Sequence, residues 1–482
     1  MVFFIPSCMA LVLLHGFASG DGSAPSFDQE PGDSSADSFL SSQAREWISL
    51  QVESGFAASI AVGWTEDGRR GFHSLGAVCL DAEGRAVGPP SEDSIYEIGS
   101  ISKVFTCLLL ALRVQGETMA LEDPISDYLP ESVSVPGFAD QSIRLLDLAT
   151  HCSSLPRMPP DFIAEDWDDP YRDFGPSQLY EFLAGYTLPR PIGQRMEYSN
   201  LGMGLLGLTL ALDDGKSYEQ MVIDEIAAPL DMSSTGVTLD EEKRGRLAAG
   251  HVGRFPASNW SFTDAFAGAG ALRSSVRDML TFLERNLAVS RQVQHESSMD
   301  SALALIQEPR ADADAPGARI GLGWILVGNG GKEIIWHNGG TGGYRSFAGF
   351  VRGGSRGVVV LCNSAASIDD LGVHLLDPSR SLGKPRTVAR LDAVTLGGLA
   401  GSYRLNPKVV IEVRALNGQL AVQLTGQMKI AAYPISGRRF FLQDVPAEIE
   451  FQAGEDSGCE GLVLHQNGVA QHARRLVSSS DE

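Results

Sequence analysis

Apolar residues along the chain change their period several times, and each change marks a structural unit. Helical spacing begins at Phe39-Leu40 and runs towards Val52. Segments 57–64 and 71–80 then alternate or are punctuated by glycine, the pattern of paired strands. From Ser100 a long apolar helix is predicted through residues 104–115, with Gly116 as its stop. The middle of the chain reads as mostly helical, broken by loops such as Leu155-Pro156-Arg157-Met158-Pro159-Pro160. Strand patterns return at 323–327, 346–351 and 357–362. Strands at both ends with helices between predict an α+β unit, in which one sheet is closed by the two ends of the unit and packs against a helical region.

The flanks read differently. Residues 1–20 are apolar and end in small residues, which reads as a secretory signal peptide, although no Lys or Arg precedes the apolar part. Residues 21–38 are rich in Gly, Ser, Asp and Pro and read as a disordered linker. The α+β unit is expected over 39–365, a second linker with Pro378 and Pro385 over 366–390, and a small all-β domain, sandwich or barrel, over 391–477. Its short β-type runs are 409–413, 420–424, 439–442 and 449–451.

Composition narrows the classes of function. Of 482 residues 43% are hydrophobic and 20% charged, ordinary for a globular protein. A formal charge of −22, with no basic run to offset it, argues against a nucleic-acid partner. Beyond the first residues no stretch is apolar for long enough to span a membrane, so no integral span is expected in the mature chain, which would be secreted or periplasmic. Cys79, Cys107, Cys152, Cys362 and Cys459 show no CxxC spacing and read as small buried apolar residues; one disulfide stays open after export. Without HExxH or clustered His and Cys, neither a metal nor another cofactor is implied. The expected partner is a small ester, amide or peptide substrate, and nothing in the sequence speaks to oligomeric state.

Three motifs carry candidate chemistry. Ser100-Ile101-Ser102-Lys103 puts a hydroxyl and an amine on one helical face, where the amine, if burial lowers its pKa, can take the hydroxyl proton. Chance supplies such spacings, and Ser381-Leu382-Gly383-Lys384 is another, but Pro385 disfavours a helix there. Tyr198-Ser199-Asn200 offers a phenol to relay a proton and an amide to hold an amine or a substrate, and also reads as a helix start. His337-Asn338-Gly339-Gly340-Thr341-Gly342-Gly343 implies a strand edge whose backbone is approached closely, where a substrate can hydrogen-bond the main chain and the N–H of Gly340 with that of Ser100 can form an oxyanion hole. Two other motifs are read as decoys. Gly353-Gly354-Ser355-Arg356-Gly357 matches GxSxG but precedes a strand, so it reads as a hairpin turn. Gly202-Met203-Gly204-Leu205-Leu206-Gly207 matches GxGxxG without a preceding strand and reads as helix packing.

Together these motifs resemble the serine β-lactamase and penicillin-binding protein superfamily. Their order, Ser-x-x-Lys, Tyr-x-Asn, His-x-Gly, is similar to the class C β-lactamase and family VIII esterase branch. Residues 143–156 resemble its LLTHTSGLP segment, 227–235 its PLGMxxT, and 268–279 its GAGGLxSTxxDM. The resemblance implies a β-lactamase/transpeptidase-like fold: an antiparallel sheet flanked by helices, a mostly helical second lobe, and an appended β-domain. It implies that Ser100 is the acylated nucleophile, Lys103 its base or base partner and Tyr198 the proton relay. Asn200 would be a positioning amide, and His337, Gly339 and Gly340 would face substrate. His337 stands where class C β-lactamases have lysine, Asn338 replaces a hydroxyl, and Ser154 replaces a glycine. The first two point away from a dedicated β-lactamase, towards an esterase, amidase or D-amino acid peptidase. The expected function is a secreted serine hydrolase. The alternative is a penicillin-binding-like protein or pseudoenzyme that binds peptidoglycan fragments. Acidic Asp161, Glu165, Asp166, Asp168 and Asp169, in the loop after Pro156, read as a solvated loop or as a barrier to anionic substrates.

Overall fold

The computed structural model describes residues 39–80, 86–328, 333–383, 386–443, 445–454 and 459–476. Residues 1–38, expected to be signal peptide and linker, lie outside these. Eight strands form the main sheet: β1 (Ser59–Glu66), β2 (Arg69–Gly76), β3 (Ala311–Asp312), β4 (Ala318–Ile320), β5 (Ile325–Val327), β6 (Ile334–Gly340), β7 (Arg345–Val351) and β8 (Arg356–Cys362). The order is β3-β4-β5-β6-β7-β8-β1-β2, antiparallel throughout. The two ends of the unit meet where β1 pairs with β8, Ile60 opposite Cys362.

Six helices cover this sheet or build the site beside it: α1 (Ser42–Glu53), α2 (Ser102–Gln115), α3 (Asn200–Asp214), α4 (Val276–Ser290), α5 (Ser298–Gln307) and α6 (Asp369–Leu376). Both sheet faces are buried, and the strands' period of two sorts residues between them. Ile60, Val62, Trp64, Val358 and Val360 join Trp47 and Ile48 of α1 and Leu371 and Leu375 of α6. Ala61, Val359 and Leu361 join the second core with α2 and α4. Between the sheet and the helical lobe runs α2, every residue of which from Ser102 to Ala111 is buried. It packs against α5 and α3. The glycines of α3 allow close packing against the segment before residue 268: a Cβ on Gly204 would lie 2.2 Å from the Ala265 carbonyl oxygen. The GxGxxG match is therefore helix packing, and 352–355 is the turn between β7 and β8.

Several expectations change in detail. The stretch from 366, read as a linker, begins with helix α6, whose Leu371 and Leu375 are core residues. Its amphipathic run is short and flanked by Pro378, which hid it in the pattern. All five described cysteines are free; four are buried, whereas Cys79 is half-buried on the short Cys79–Leu80 strand. The choice between sandwich and barrel falls to a barrel. Eight strands from Gly401–Asn406 to Val469–Arg475 close in sequence order around Tyr403, Phe440, Ile449, Phe451 and Leu462. Tyr433 and Phe441 of the barrel pack on Phe56, and the Tyr433 hydroxyl donates to the Gly55 carbonyl at 3.1 Å. No helix among the described residues is long and apolar enough to cross a membrane.

Phe105 of α2 is fully buried and stacks on Phe282 of α4 with ring centroids 4.5 Å apart. Phe105→Ala is expected to lower the stability of this unit by about 3–5 kcal/mol. Val293→Ala, at a side chain 97% exposed, is expected to change it by under about 0.5 kcal/mol. Urea unfolding followed by tryptophan fluorescence reads this directly, because all six tryptophans lie before residue 337.

Candidate active site

Ser100 does not start the α-helix. It sits in a 3₁₀ turn, Gly99–Ile101, and α2 begins at Ser102. The tighter turn brings side chains three apart nearly into line. Strand β6 lies directly against this turn. A Cβ on Gly339 would come within 2.0 Å of the Ile98 carbonyl oxygen and 2.9 Å of the Ser100 nitrogen. A Cβ on Gly99, whose φ is +49°, would meet the Gly340 nitrogen at 2.6 Å. Backbone therefore touches backbone at a seam only glycine can occupy on both sides. Ser346 of β7 fastens it, donating from Oγ to the Ile98 carbonyl at 2.7 Å.

Lys103 is fully buried in the first turn of α2. Its Nζ donates to Ser100 Oγ at 3.0 Å and to the Ala269 carbonyl at 2.6 Å. It also lies 4.9 Å from the centre of the Tyr198 ring. Ser100 itself is 9% exposed, so the hydroxyl is reachable while the amine is not.

Tyr198 precedes α3. Ser199 caps that helix, its Oγ accepting from Gly202 N at 2.8 Å and donating to the Pro156 carbonyl at 2.7 Å. The Ser199 N–H donates to His151 Nδ1 at 3.2 Å, and the His151 ring leans on Tyr198 at 4.5 Å. Asn200 donates its N–H to the Arg157 carbonyl at 3.1 Å, and its side-chain Oδ1 is buried without a hydrogen-bond partner. Ser154, standing where the resemblance has glycine, keeps the left-handed backbone (φ +66°) and donates its hydroxyl to the Arg190 carbonyl at 3.0 Å.

His337 lies on β6, its ring 6.4 Å from that of Tyr198. Burial, and then the Lys103 charge, push its pKa down from 6.5 to about 3, so the imidazole is neutral. His151 is lowered well below 6.5 for the same two reasons, with further repulsion from His337 and Arg157. The two rings carry opposite tautomers: His151 Nδ1 accepts from an N–H, whereas His337 Nδ1 donates to the Asn338 carbonyl. Asn338 alternates to the other face of the sheet, where its Nδ2 donates to Asp369 of α6 at 2.6 Å. Its replacement of a hydroxyl therefore anchors the strand from behind.

Sequence reasoning missed the wall beside this cluster. Glu97 is buried, and burial raises its carboxyl pKa. Its Oε1 accepts from Asn259 Nδ2 at 3.0 Å, Trp260 N at 3.1 Å and Arg273 Nη2 at 3.0 Å. That fixes Trp260 against Gly342, where a Cβ would meet the indole nitrogen at 2.7 Å. Tyr171 stacks on Phe262 at 5.0 Å and meets Trp260 edge-on at 5.3 Å. The acidic loop is thereby folded onto aromatic residues, and Asp169 accepts from Ser261 N at 2.7 Å instead of standing in solvent. The aromatic spacing in 162–174 and 260–266 was the available signal. Ala269 stood within the segment 268–279 without a role assigned to it.

A hydroxyl in contact with a buried amine, a phenol ring beside the amine, and main-chain N–H groups across a glycine seam form a set suited to acyl transfer. Of the residues singled out from sequence, Ser100, Lys103, Tyr198, His337, Gly339 and Gly340 are brought together, and Asn200 stands at the head of α3 beside them. Among the described residues no cluster of His, Cys, Asp or Glu could hold a metal ion.

The neutral His337 makes stability depend on pH. Folding holds an imidazole uncharged that the unfolded chain would protonate, so the penalty is absent above about pH 6.5 and grows as pH falls towards 3. Between pH 7 and 4.5, His337→Gln is expected to lose about 2–3 kcal/mol less stability than the parent protein, measured by urea midpoints at each pH.

Known proteins share this arrangement of sequence and fold. The D-alanyl-D-alanine-carboxypeptidase/endopeptidase AmpH of Escherichia coli (strain K12) is 32% identical over 276 residues, covering 54% of this chain and 69% of its own. A penicillin-binding protein of Bacillus subtilis (strain 168) is 26% identical over 422 residues, covering 80% of this chain and 89% of its own. The crystal structure of a class C β-lactamase from Rhodobacter sphaeroides superposes with a TM-score of 0.59 at 25% identity, covering 70% of this chain and 99% of that one. The family model described as Beta-lactamase matches residues 44–375, and the chain belongs to that family of serine hydrolases.

Proposed function

We propose that the protein cleaves an amide or ester bond through an acyl-Ser100 intermediate, and that its substrate is a peptide ending in D-amino acids. The observation that carries the reading is the 3.0 Å contact between the buried Lys103 amine and the Ser100 hydroxyl. In its neutral form Lys103 takes the Ser100 proton as Oγ bonds to the substrate carbonyl carbon. The developing oxyanion is received by the N–H groups of Ser100 and Gly340. The bond to the leaving group then breaks, and the departing nitrogen or oxygen takes a proton from Lys103 by way of the Tyr198 hydroxyl. Water attacks the acyl ester, releasing the acid and restoring Ser100. Asn200 Oδ1, buried and without a partner, is suited to accept a substrate N–H. The carboxypeptidase named among the relatives supports D-alanyl peptides.

Ser100→Ala is expected to abolish p-nitrophenyl ester turnover and labelling by a fluorophosphonate probe; retention of either in full overturns the reading. A parallel kinetic panel of nitrocefin, short p-nitrophenyl esters and a D-alanyl-D-alanine peptide is expected to rank the peptide first. The reading includes export, supported by the apolar run at 1–20. N-terminal sequencing of the mature protein is expected to begin near residue 21.

A further inference from the structure

Resting on that reading, we propose that Arg157 binds the free carboxylate of the substrate's leaving amino acid, making the protein selective for peptides with an uncapped C-terminus. Arg157 belongs to the loop between Pro156 and Pro159-Pro160, whose rings restrict the backbone. Its carbonyl accepts from the N–H groups of Asn200 and Leu201 at 3.1 and 3.2 Å, so its main chain is tied to the head of α3, beside Tyr198. Its guanidinium carbon lies 5.2 Å from the centre of the Tyr198 ring, the same ring that Lys103 approaches at 4.9 Å.

The ionic surroundings make this arginine unusual for the chain. There are 60 Asp and Glu to 38 Lys and Arg, and most of the buried or half-buried arginines are paired: Arg113 with Glu225, Arg273 with Glu97, Arg352 with Glu333. Arg157 is half-buried, yet among the described residues its guanidinium has no carboxylate partner. Three of the acids in its loop are engaged elsewhere. Asp166 lies 3.9 Å from Arg172, Asp168 lies 3.8 Å from Lys429 of the barrel, and Asp169 accepts from Ser261 N. The guanidinium lies over the Tyr198 ring in a half-buried position. A planar fork of N–H donors in a half-buried position matches a carboxylate bidentately.

Direction follows from the proton relay. If Tyr198 hands the proton to the leaving group, the leaving group lies beside Tyr198, and a cation stacked on that ring is on the leaving side. The α-carboxylate of a departing C-terminal amino acid is two bonds from the nitrogen that takes the proton. His337, at the third motif, is uncharged and leaves this attraction to another residue.

The test compares one acyl-D-alanyl-D-alanine peptide with its C-terminal amide. In the parent protein kcat/KM is expected to favour the free acid. In Arg157→Gln the acid-to-amide ratio is expected to fall about 10- to 100-fold, and in Arg157→Lys, which keeps the charge but not the fork, it is expected to fall less far. An unchanged ratio in Arg157→Gln overturns the proposal, and so does an equal fall for both substrates, which would make Arg157 a positioning residue for Tyr198. If Arg157→Gln does not fold, added salt is used on the parent protein: KM is expected to rise for the acid and not for the amide, and equal responses overturn the proposal. Fluorophosphonate labelling of the parent separates the two readings. Absent labelling removes the acyl-serine mechanism, whereas labelling with an unchanged ratio removes only the role of Arg157.

Discussion

The glycine seam between strand β6 and the turn Gly99–Ile101 is the constraint on which the site depends. Gly339 stands against Ile98 and Ser100, and Gly99 stands against Gly340, so neither backbone can be displaced by a side chain. The other parts of the site are placed relative to this contact. The turn ahead of α2 lies against it with Ser100 in contact with Lys103, and the Ser100 and Gly340 nitrogens lie at the seam itself. The sheet behind it is rigid because both faces are packed, and Asn338 adds a tie from the rear to α6.

The second organising fact is the buried amine of Lys103. Lys103 touches a hydroxyl, a carbonyl and an aromatic face, and its charge lowers the pKa of both His151 and His337. Burial is costly for an ammonium. The large apolar core around α2 offsets this cost.

Much of the site was readable in the sequence because it rests on local chemistry. Ser-x-x-Lys ahead of an apolar run, Ser199 as a helix cap, and clustered glycines after His337 each have a short-range physical meaning. The glycine-punctuated run at 57–64 and the continuous apolar run at 357–362 identified the strands that close the sheet. What was not readable depends on contacts between distant segments. The 3₁₀ turn at Ser100 is imposed by β6, more than two hundred residues later. Glu97 gains its role only when Asn259, Trp260 and Arg273 are folded onto it. The side of the strand on which Asn338 falls depends on register with α6, and α6 itself was hidden beside a proline in a stretch that read as linker. Closure of the barrel required knowing that its first and last strands pair, which no local pattern states.

The pairing of β1 with β8 also has a kinetic side. Ile60 faces Cys362, so nearly the whole α+β unit separates two strands that are neighbours in space. During synthesis the hairpin of β1 and β2 emerges long before its partner, and one edge of it must wait unpaired. Contacts between such distant segments are slow to form, because the intervening loop has to be closed first. A chain built this way finishes its sheet only after synthesis of that unit is complete, which leaves it open for most of its emergence to anything that binds extended, apolar strands.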